Sequence, residues 1–238
     1  MASYVLILQH LAVEGPGLIA RALELAGVQY RIRNLLQELD PALPPLEELS
    51  GVVLMGGPMD ADDLDRYPAL ALEQKLIRAA VASEIPVLGV CLGHQLIALA
   101  LGGGLQHAAT REIGVAAISA TGELTALNGL DVVHWHGDNA VLPEGVASLA
   151  RTEDCGTQAF RHGSALGLQF HLELDAELLD TWLASGMAED LAEGEGEKIR
   201  KDFMQGIDAR TRAASEIFQQ FSRECLVAKA RQIRQLQG

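Results

Sequence analysis

The stretch PVLGVCLGHQLIALALGGG, residues 86–104, joins two apolar runs through a cysteine that has a glycine two positions to either side. The run before Cys91 has the length and composition of a strand buried on both faces. The run after it has the length of a helix, and its closing glycines predict where that helix ends. The sequence therefore predicts a strand, a sharp turn at Cys91 and then a helix.

The same alternation precedes this stretch. Apolar runs typical of strands occupy residues 4–10 (YVLILQH), 28–35 (VQYRIRNL) and 51–58 (GVVLMGGP), and helical patterns occupy residues 15–27 and 67–83. On the second helix we expect a buried face made of Leu72, Leu76, Ala79 and Ala80. Strands that alternate with helices predict a parallel, doubly wound sheet, in which ligands bind at the carboxyl ends of the strands. The segments QH, GGP and CLG stand at such ends.

The second half of the chain has shorter, closely spaced β-like segments, which predict antiparallel strands. We expect LGLQFH, residues 166–171, to return to the central sheet, and a helix with Asp175 as its cap to follow. The predicted fold class is α/β: a doubly wound, mostly parallel sheet flanked by helices, with a small antiparallel sheet. We expect residues 1–186 to form this domain, and residues 187–238 to form an acidic linker and one or two amphipathic helices.

The composition and the net charge of the chain argue against some classes of protein. The chain has 238 residues, 49% of them hydrophobic, and a net charge of −14, which argues against nucleic acid as a partner. Residues 1–195 carry 9 Lys and Arg against 27 Asp and Glu, whereas residues 196–238 carry 9 against 5. We expect the basic tail to pack on the acidic body.

Three cysteines, no signal peptide and no apolar membrane segment predict a cytoplasmic protein without disulfides.

The turn at Cys91 has the features of a strand–nucleophile–helix junction. Small neighbours allow a tight backbone, and the amino end of the following helix favours a thiolate and offers free N–H groups to an oxyanion. A small core cysteine between closely packed glycines fits the pentapeptide GVCLG about equally well. The remaining sequence has to decide between these two interpretations.

A thiolate nucleophile needs a base, and the base needs a group that orients it. LGLQFHLE supplies both, because residues i and i+2 of a strand face the same side. His171 and Glu173 are therefore expected to point into one site from the end of one strand. A lone histidine there would more often be only a satisfied polar residue.

Two other motifs carry weaker signals. MGGP offers a glycine backbone that can aim an amide at an oxyanion, although an ordinary tight turn explains it too. His134 and His136 in HWHGD have a spacing that suits a metal, but without a third ligand we expect a substrate loop and no metal. We interpret His10, His94, His107 and His162 as surface or core histidines. Without a P-loop or dinucleotide fingerprint we expect no cofactor.

Taken together, MGGP, GVCLGHQ, HGD and QFHLE resemble the class I, triad-type glutamine amidotransferases over residues 1–186, in that family's order. The form of WHGD is most similar to stand-alone, GMP-synthase-like glutaminase proteins. The resemblance implies a flavodoxin-like fold and a nucleophile at Cys91, with His171 as base and Glu173 as its orienter. It also implies an oxyanion hole from the amides of Gly57 and Leu92.

The resemblance further implies that the substrate is glutamine, hydrolysed through a γ-glutamyl thioester, and that a synthetase partner accepts the ammonia. The residues expected to hold glutamine are Gly56, Gln95, His136, Gly137 and Asp138. Two features depart from the family. Leu172 replaces the proline usually found between its histidine and glutamate, and residues 187–238 extend past a minimal domain, to cap it, form a homodimer contact or dock a partner.

Two alternatives stay open. A γ-glutamyl hydrolase or peptidase would use the same triad on a different leaving group, which the motifs do not report. A non-catalytic binding module on this fold is a third hypothesis, and the intact triad argues against it.

Overall fold

The computed structural model describes residues 3–237, with side chains for residues 3–234. Its centre is an eight-stranded sheet whose first five strands run parallel in the order β2-β1-β3-β4-β12. These strands are β1 Tyr4–Leu8, β2 Tyr30–Arg33, β3 Leu49–Leu54, β4 Val87–Val90 and β12 Ala165–Leu168. The predicted parallel sheet and the return of β12 to its centre are therefore confirmed.

The antiparallel strands extend this sheet and add two ribbons to it. Beyond β12 the order continues β11-β10-β7, all antiparallel, and the pairs β5–β9 and β6–β8 stand apart. The strands are β5 Gly104–Gln106, β6 Glu112–Ala117, β7 Ser119–Ala120, β8 Asp131–His136, β9 Asn139–Val141, β10 Ser148–Arg151 and β11 Ala159–His162. The β6–β8 ribbon brings HWH over the carboxyl ends of the central strands, because Val133 bridges to His171.

Helices cover both faces of the sheet, as a doubly wound fold requires. They are α1 Gly17–Leu25, α2 Ala69–Ala82, α3 Leu92–Ala100, α4 Ala176–Leu183, α5 Glu195–Gln205 and α6 Ile207–Gln237. Apolar side chains of α1 and α6 pack on one face and those of α2 and α3 on the other. A third, smaller cluster lies between α4, α5 and β8 around Trp182. Asp175 caps α4 as predicted, since its side chain accepts from Leu178 N.

The buried face of α2 differs from the prediction. Leu76 and Ala80 are buried, but Leu72 and Ala79 are only half-buried, and Glu73 is fully buried in the same face. The apolar pattern placed the face wrongly because it treats a glutamate as exposed. Here the carboxylate of Glu73 is paired with buried His10, at 2.9 Å from Nε2.

The C-terminal helix α6 lies directly on the sheet. A methyl group at Gly51 in β3 would lie 2.5 Å from Sγ of Cys225, so only a glycine strand position admits this contact. Two ion pairs join tail cations to carboxylates of the body, Arg231 to Glu84 and Arg200 to Asp180, in agreement with the expected packing of the basic tail. Most of the contact is nevertheless apolar.

Within the described residues, no helix is both long enough and apolar enough to cross a membrane. The cytoplasmic location stays a prediction.

Candidate active site

Cys91 stands between β4 and α3 in a strained backbone conformation. Its φ is 52° and its ψ is −107°, a region that side chains with a Cβ rarely adopt. Its N–H donates to the carbonyl of Leu168 at 2.8 Å, which fixes the turn to the end of neighbouring strand β12. The residue is the N-cap of α3, and its thiol contacts the carbonyl of Trp135 at 3.7 Å.

The two flanking glycines allow close packing and do not themselves carry the strain. A methyl group at Gly89 would lie 2.4 Å from the carbonyl oxygen of Gly93, and one at Gly93 would lie 2.2 Å from that of Leu54. Positive φ occurs at Cys91 itself, whereas neither glycine has it. The expectation that both glycines shape the turn is thus refined: they let α3 approach β3 and β4.

His171 and Glu173 reach the site from the segment after β12. The strand ends at Leu168, so the prediction that both residues belong to it was wrong. Instead, the segment after β12 pairs with β8 of the antiparallel ribbon, since His171 N donates to Val133 O at 2.8 Å. Nδ1 of His171 lies 2.7 Å from Oε1 of Glu173, and both side chains are buried. This contact forms although Leu172 stands where the family usually has proline.

The surroundings of His171 favour its charged form. Burial lowers the pKa of His171, but the charge of Glu173, the hydrogen bonds of Cys91 and Glu173, and the charge of Cys91 raise it, and the result is a pKa well above the ordinary value. The ring packs edge-on against Trp182, with 4.8 Å between centroids. The pair with Glu173 leaves Nε2 free to exchange a proton with the thiol.

The two residues predicted to supply the oxyanion donors, Gly57 and Leu92, are neighbours. A methyl group at Gly57 would lie 2.8 Å from Cδ2 of Leu92, and Leu92 is the first residue of α3, whose N–H has no partner within the helix. Nδ1 of His10 lies 2.9 Å from the carbonyl of Gly56 and donates to it. In a trans peptide the next N–H points the opposite way, so His10 fixes the direction of the Gly57 amide.

The surroundings of His10 favour its charged form. Burial lowers the pKa of His10, but the hydrogen bond and charge of Glu73 raise it above the ordinary value. The sequence predicted only a surface or core histidine at this position. Its place at the end of β1 was the one available signal that it belongs to the site.

The predicted substrate-binding residues fall into two groups. Gln95, His136, Gly137 and Asp138 line one pocket with Cys91 and Gly57, and Gly56 is buried behind it. Nδ1 of His136 donates to the Asp138 carbonyl at 3.1 Å. The Asp138 carboxylate ties down its own loop, because it accepts from Ala108 N at 2.7 Å and contacts His107 Nδ1 at 3.1 Å.

Glu112 supplies the third candidate ligand that the HWH motif lacked in the sequence. One ligand atom each of Glu112, His134 and His136 lie within 4.8 Å of one another, and Glu112 Oε2 is 2.9 Å from His136 Nε2. However, the Gln158 amide nitrogen also meets Glu112 Oε2 at 2.6 Å, so a hydrogen-bond donor already fills this space. The cluster fits a network that holds His136 at the pocket. The absence of a metal stays a prediction.

Sequence reasoning missed three further residues at the site. Arg111 and Asp190 line the same pocket as Cys91, and Arg111 donates to the Asp190 carbonyl at 3.4 Å. Glu14, in the loop after β1, is buried beside His171. Only the position of Glu14 after a predicted strand was a usable signal, since the other two meet through distant parts of the chain.

Comparisons with known proteins agree with this site. The family described as glutamine amidotransferase class-I matches residues 17–185. The putative glutamine amidotransferase-like protein YfeJ of Salmonella typhimurium is 34% identical over 171 residues, which cover 66% of this chain and 71% of YfeJ. A protein of Methanococcus maripaludis, named as one subunit of glutamine-hydrolysing GMP synthase, is 36% identical over 169 residues, covering 62% and 84%. The crystal structure of a glutamine amidotransferase from Methylobacillus flagellatus superposes with a TM-score of 0.84 at 27% identity, covering 94% and 96%.

A doubly wound sheet with a cysteine at a strand–helix turn, beside a histidine–glutamate pair, defines the class of protein. The chain belongs to the class-I glutamine amidotransferase family, as the sequence motifs predicted. Membership implies glutamine-hydrolysing activity.

Proposed function

We propose that this protein hydrolyses the side-chain amide of glutamine through a γ-glutamyl thioester on Cys91. The observation that carries the proposal is the buried His171–Glu173 pair, 2.7 Å apart, next to a strained cysteine at a helix amino end. These are the parts that an activated nucleophile needs.

The first step forms the thioester. His171 takes the proton of Cys91, and the thiolate attacks the amide carbon of glutamine. The amides of Gly57 and Leu92 stabilise the oxyanion that develops. When the carbon–nitrogen bond breaks, His171 returns the proton to the leaving nitrogen, which departs as ammonia.

The second step releases glutamate. Water takes the place of ammonia, gives a proton to His171 and attacks the thioester carbon. The same oxyanion donors act again, and the sulfur leaves with the proton from His171. Throughout, Glu173 keeps the imidazole in one tautomer and stabilises its charged form.

The amino-acid end of glutamine is proposed to bind between Gln95 and the loop formed by residues 136–138. Gln95 is held by Gln169, whose Oε1 lies 3.3 Å from its amide nitrogen, so its side chain is positioned before substrate arrives. His136 is fixed in turn by Glu112. Gly56 contributes because it has no side chain, which leaves space behind the oxyanion loop.

The ammonia is proposed to pass to a synthetase partner. Several relatives carry the name of one subunit of glutamine-hydrolysing GMP synthase, a name that describes a component of a larger assembly. The same triad on a γ-glutamyl peptide or amine is the alternative that the experiment must separate.

The test is a substrate screen on purified wild-type and Cys91→Ala protein. Glutamine and γ-glutamyl compounds are offered separately, and ammonia and glutamate are measured. We expect turnover of glutamine that is lost in Cys91→Ala and retained in Cys225→Ala, whose thiol is buried between α6 and β3. Turnover of γ-glutamyl compounds alone would favour the hydrolase, and turnover of neither would contradict both.

A further inference from the structure

Glu14 is a buried carboxylate next to the catalytic group that the mechanism above does not use. It lies in the loop between β1 and α1, and only 4% of the residue is exposed. A methyl group at Gly56 would lie 2.1 Å from Oε2 of Glu14 and 3.5 Å from Cε1 of His171. The carboxylate and the imidazole edge therefore flank the same small space behind the oxyanion loop.

The loop that carries Glu14 is fixed to the segment that carries the triad. The indole N–H of Trp182, which packs on the His171 ring, donates to the carbonyl of Val13 at 2.8 Å. Leu18 N donates to the Glu173 carbonyl at 2.8 Å. Glu14 is thus held against His171 from both sides of its loop.

Titratable side chains of both signs face Glu14. His171 and His10 attract the carboxylate, and Glu173 repels it. Glu73 lies beyond His10, and Cys91 lies beyond His171. Burial raises the pKa of Glu14, the two histidines lower it, Glu173 raises it again, and the result is about 7. The group therefore changes charge near pH 7.

We propose that Glu14 is a positioning residue for the triad: as a carboxylate it stabilises the imidazolium of His171, and through it the thiolate of Cys91. Protonation of Glu14 at lower pH withdraws this support. The inference rests on the proposed triad. It follows from attraction between opposite charges on two buried side chains, which is stronger than the same attraction in water.

The test measures the reactivity of Cys91 directly. Wild-type protein and Glu14→Gln are treated with iodoacetamide between pH 5 and 9, and the alkylation rate of Cys91 is followed by peptide mass mapping. In the wild type we expect a rise in rate centred near pH 7, where Glu14 ionises. In Glu14→Gln that rise is lost, and the rate at pH 8 falls about tenfold, the factor that one pKa unit represents.

Two further variants make the result specific. Glu14→Asp keeps the charge and should retain the rise near pH 7, whereas a purely structural role would make it behave like Glu14→Gln. Glu144→Gln makes the same change at an exposed position and should match the wild type. Superimposable profiles for the wild type and Glu14→Gln would overturn the proposal.

Iodoacetamide needs no glutamine, so the outcome is independent of the proposed function. Loss of the rise in a protein that does not turn over glutamine would leave the role of Glu14 standing and contradict the function. Turnover of glutamine with an unchanged alkylation profile would do the reverse.

Discussion

The strained backbone of the site lies at Cys91, the proposed nucleophile. Its φ of 52° costs a residue with a Cβ about 1 to 3 kcal/mol, which surrounding contacts must offset. The N–H bond to Leu168 O and the close approach of α3 supply those contacts. The strained conformation keeps the thiol at the amino end of α3, where a substrate in the pocket can reach it.

The His171–Glu173 pair gives the first prediction. Glu173→Gln replaces the acceptor of Nδ1 with an amide that no longer fixes the tautomer or supports the imidazolium. We expect the rate of glutamine hydrolysis to fall roughly 10²- to 10⁴-fold, as loss of an orienting carboxylate does in other triads. Glu177→Gln, an exposed change in the first turn of α4, is the control and should keep full activity. A Glu173→Gln enzyme within twofold of wild type would contradict the assigned role.

Glu14 also predicts a pH dependence of stability. Its pKa is about 7 in the folded protein and 4.5 in the unfolded chain, so the folded state holds the proton more tightly. Stability from this group is complete below pH 4.5 and declines as the pH rises through 7. By pH 8 the loss is about 3 kcal/mol.

Glu14→Gln removes that loss. In urea unfolding at pH 8 we expect the variant to be more stable than the wild type by up to about 3 kcal/mol, with a much smaller difference at pH 5. A variant less stable than the wild type at both pH values would show that the carboxylate supports the fold instead.

The sequence predicted some residues of the candidate site and missed others. Cys91, His171 and Glu173 were predicted because each occupies a recognisable local position after a strand. Glu112 was not, because it meets His136 through the register of the β6–β8 ribbon, which only the folded chain defines. Glu14 follows a predicted strand as well, but its contact with His171 joins distant segments and was not predicted.

Among the elements, α3 packs closely against β3 at the junction with β4. Gly93→Ala would place a methyl group 2.2 Å from the Leu54 carbonyl and force α3 away from β3. We expect the free energy of unfolding to fall by about 3 kcal/mol, at the upper end of overpacking costs. Gly156→Ala, where nothing lies within 4 Å, should change it little. Urea unfolding of both variants checks this, and equal stabilities would contradict the packing.

The order and type of the elements followed from apolar patterning, because each central strand is buried on both faces. Patterning failed where polar groups are buried as pairs. Glu73 shifted the buried face of α2, and the strand predicted to reach His171 stops at Leu168. Those features depend on partners from distant segments, which no window of sequence contains.

On the scale of the whole molecule, α6 completes the core. Phe218 is 1% exposed and packs with residues of β1, β3 and α1 in one cluster. Phe218→Ala should lower the free energy of unfolding by about 3 to 5 kcal/mol. Val227→Ala, on the exposed side of the same helix, is the matched control. Similar urea midpoints for the two variants would mean that α6 is only an appendage.

The acidic linker before α5 reaches the catalytic pocket. Asp190 lines it with Cys91 and Arg111, and Arg111 also contacts Glu195 of α5 at 3.7 Å. The extension predicted as residues 187–238 thus contributes side chains both to the core and to the pocket rim. Its role toward a partner or a second copy stays a prediction.

The central claim is a covalent γ-glutamyl intermediate on Cys91, and its direct test is mass spectrometry of acid-quenched protein. Wild-type enzyme is mixed with glutamine, quenched during turnover and digested. We predict one γ-glutamyl group on the peptide that contains Cys91, and none in Cys91→Ala. Glutamine hydrolysis at full rate in Cys91→Ala would contradict the account.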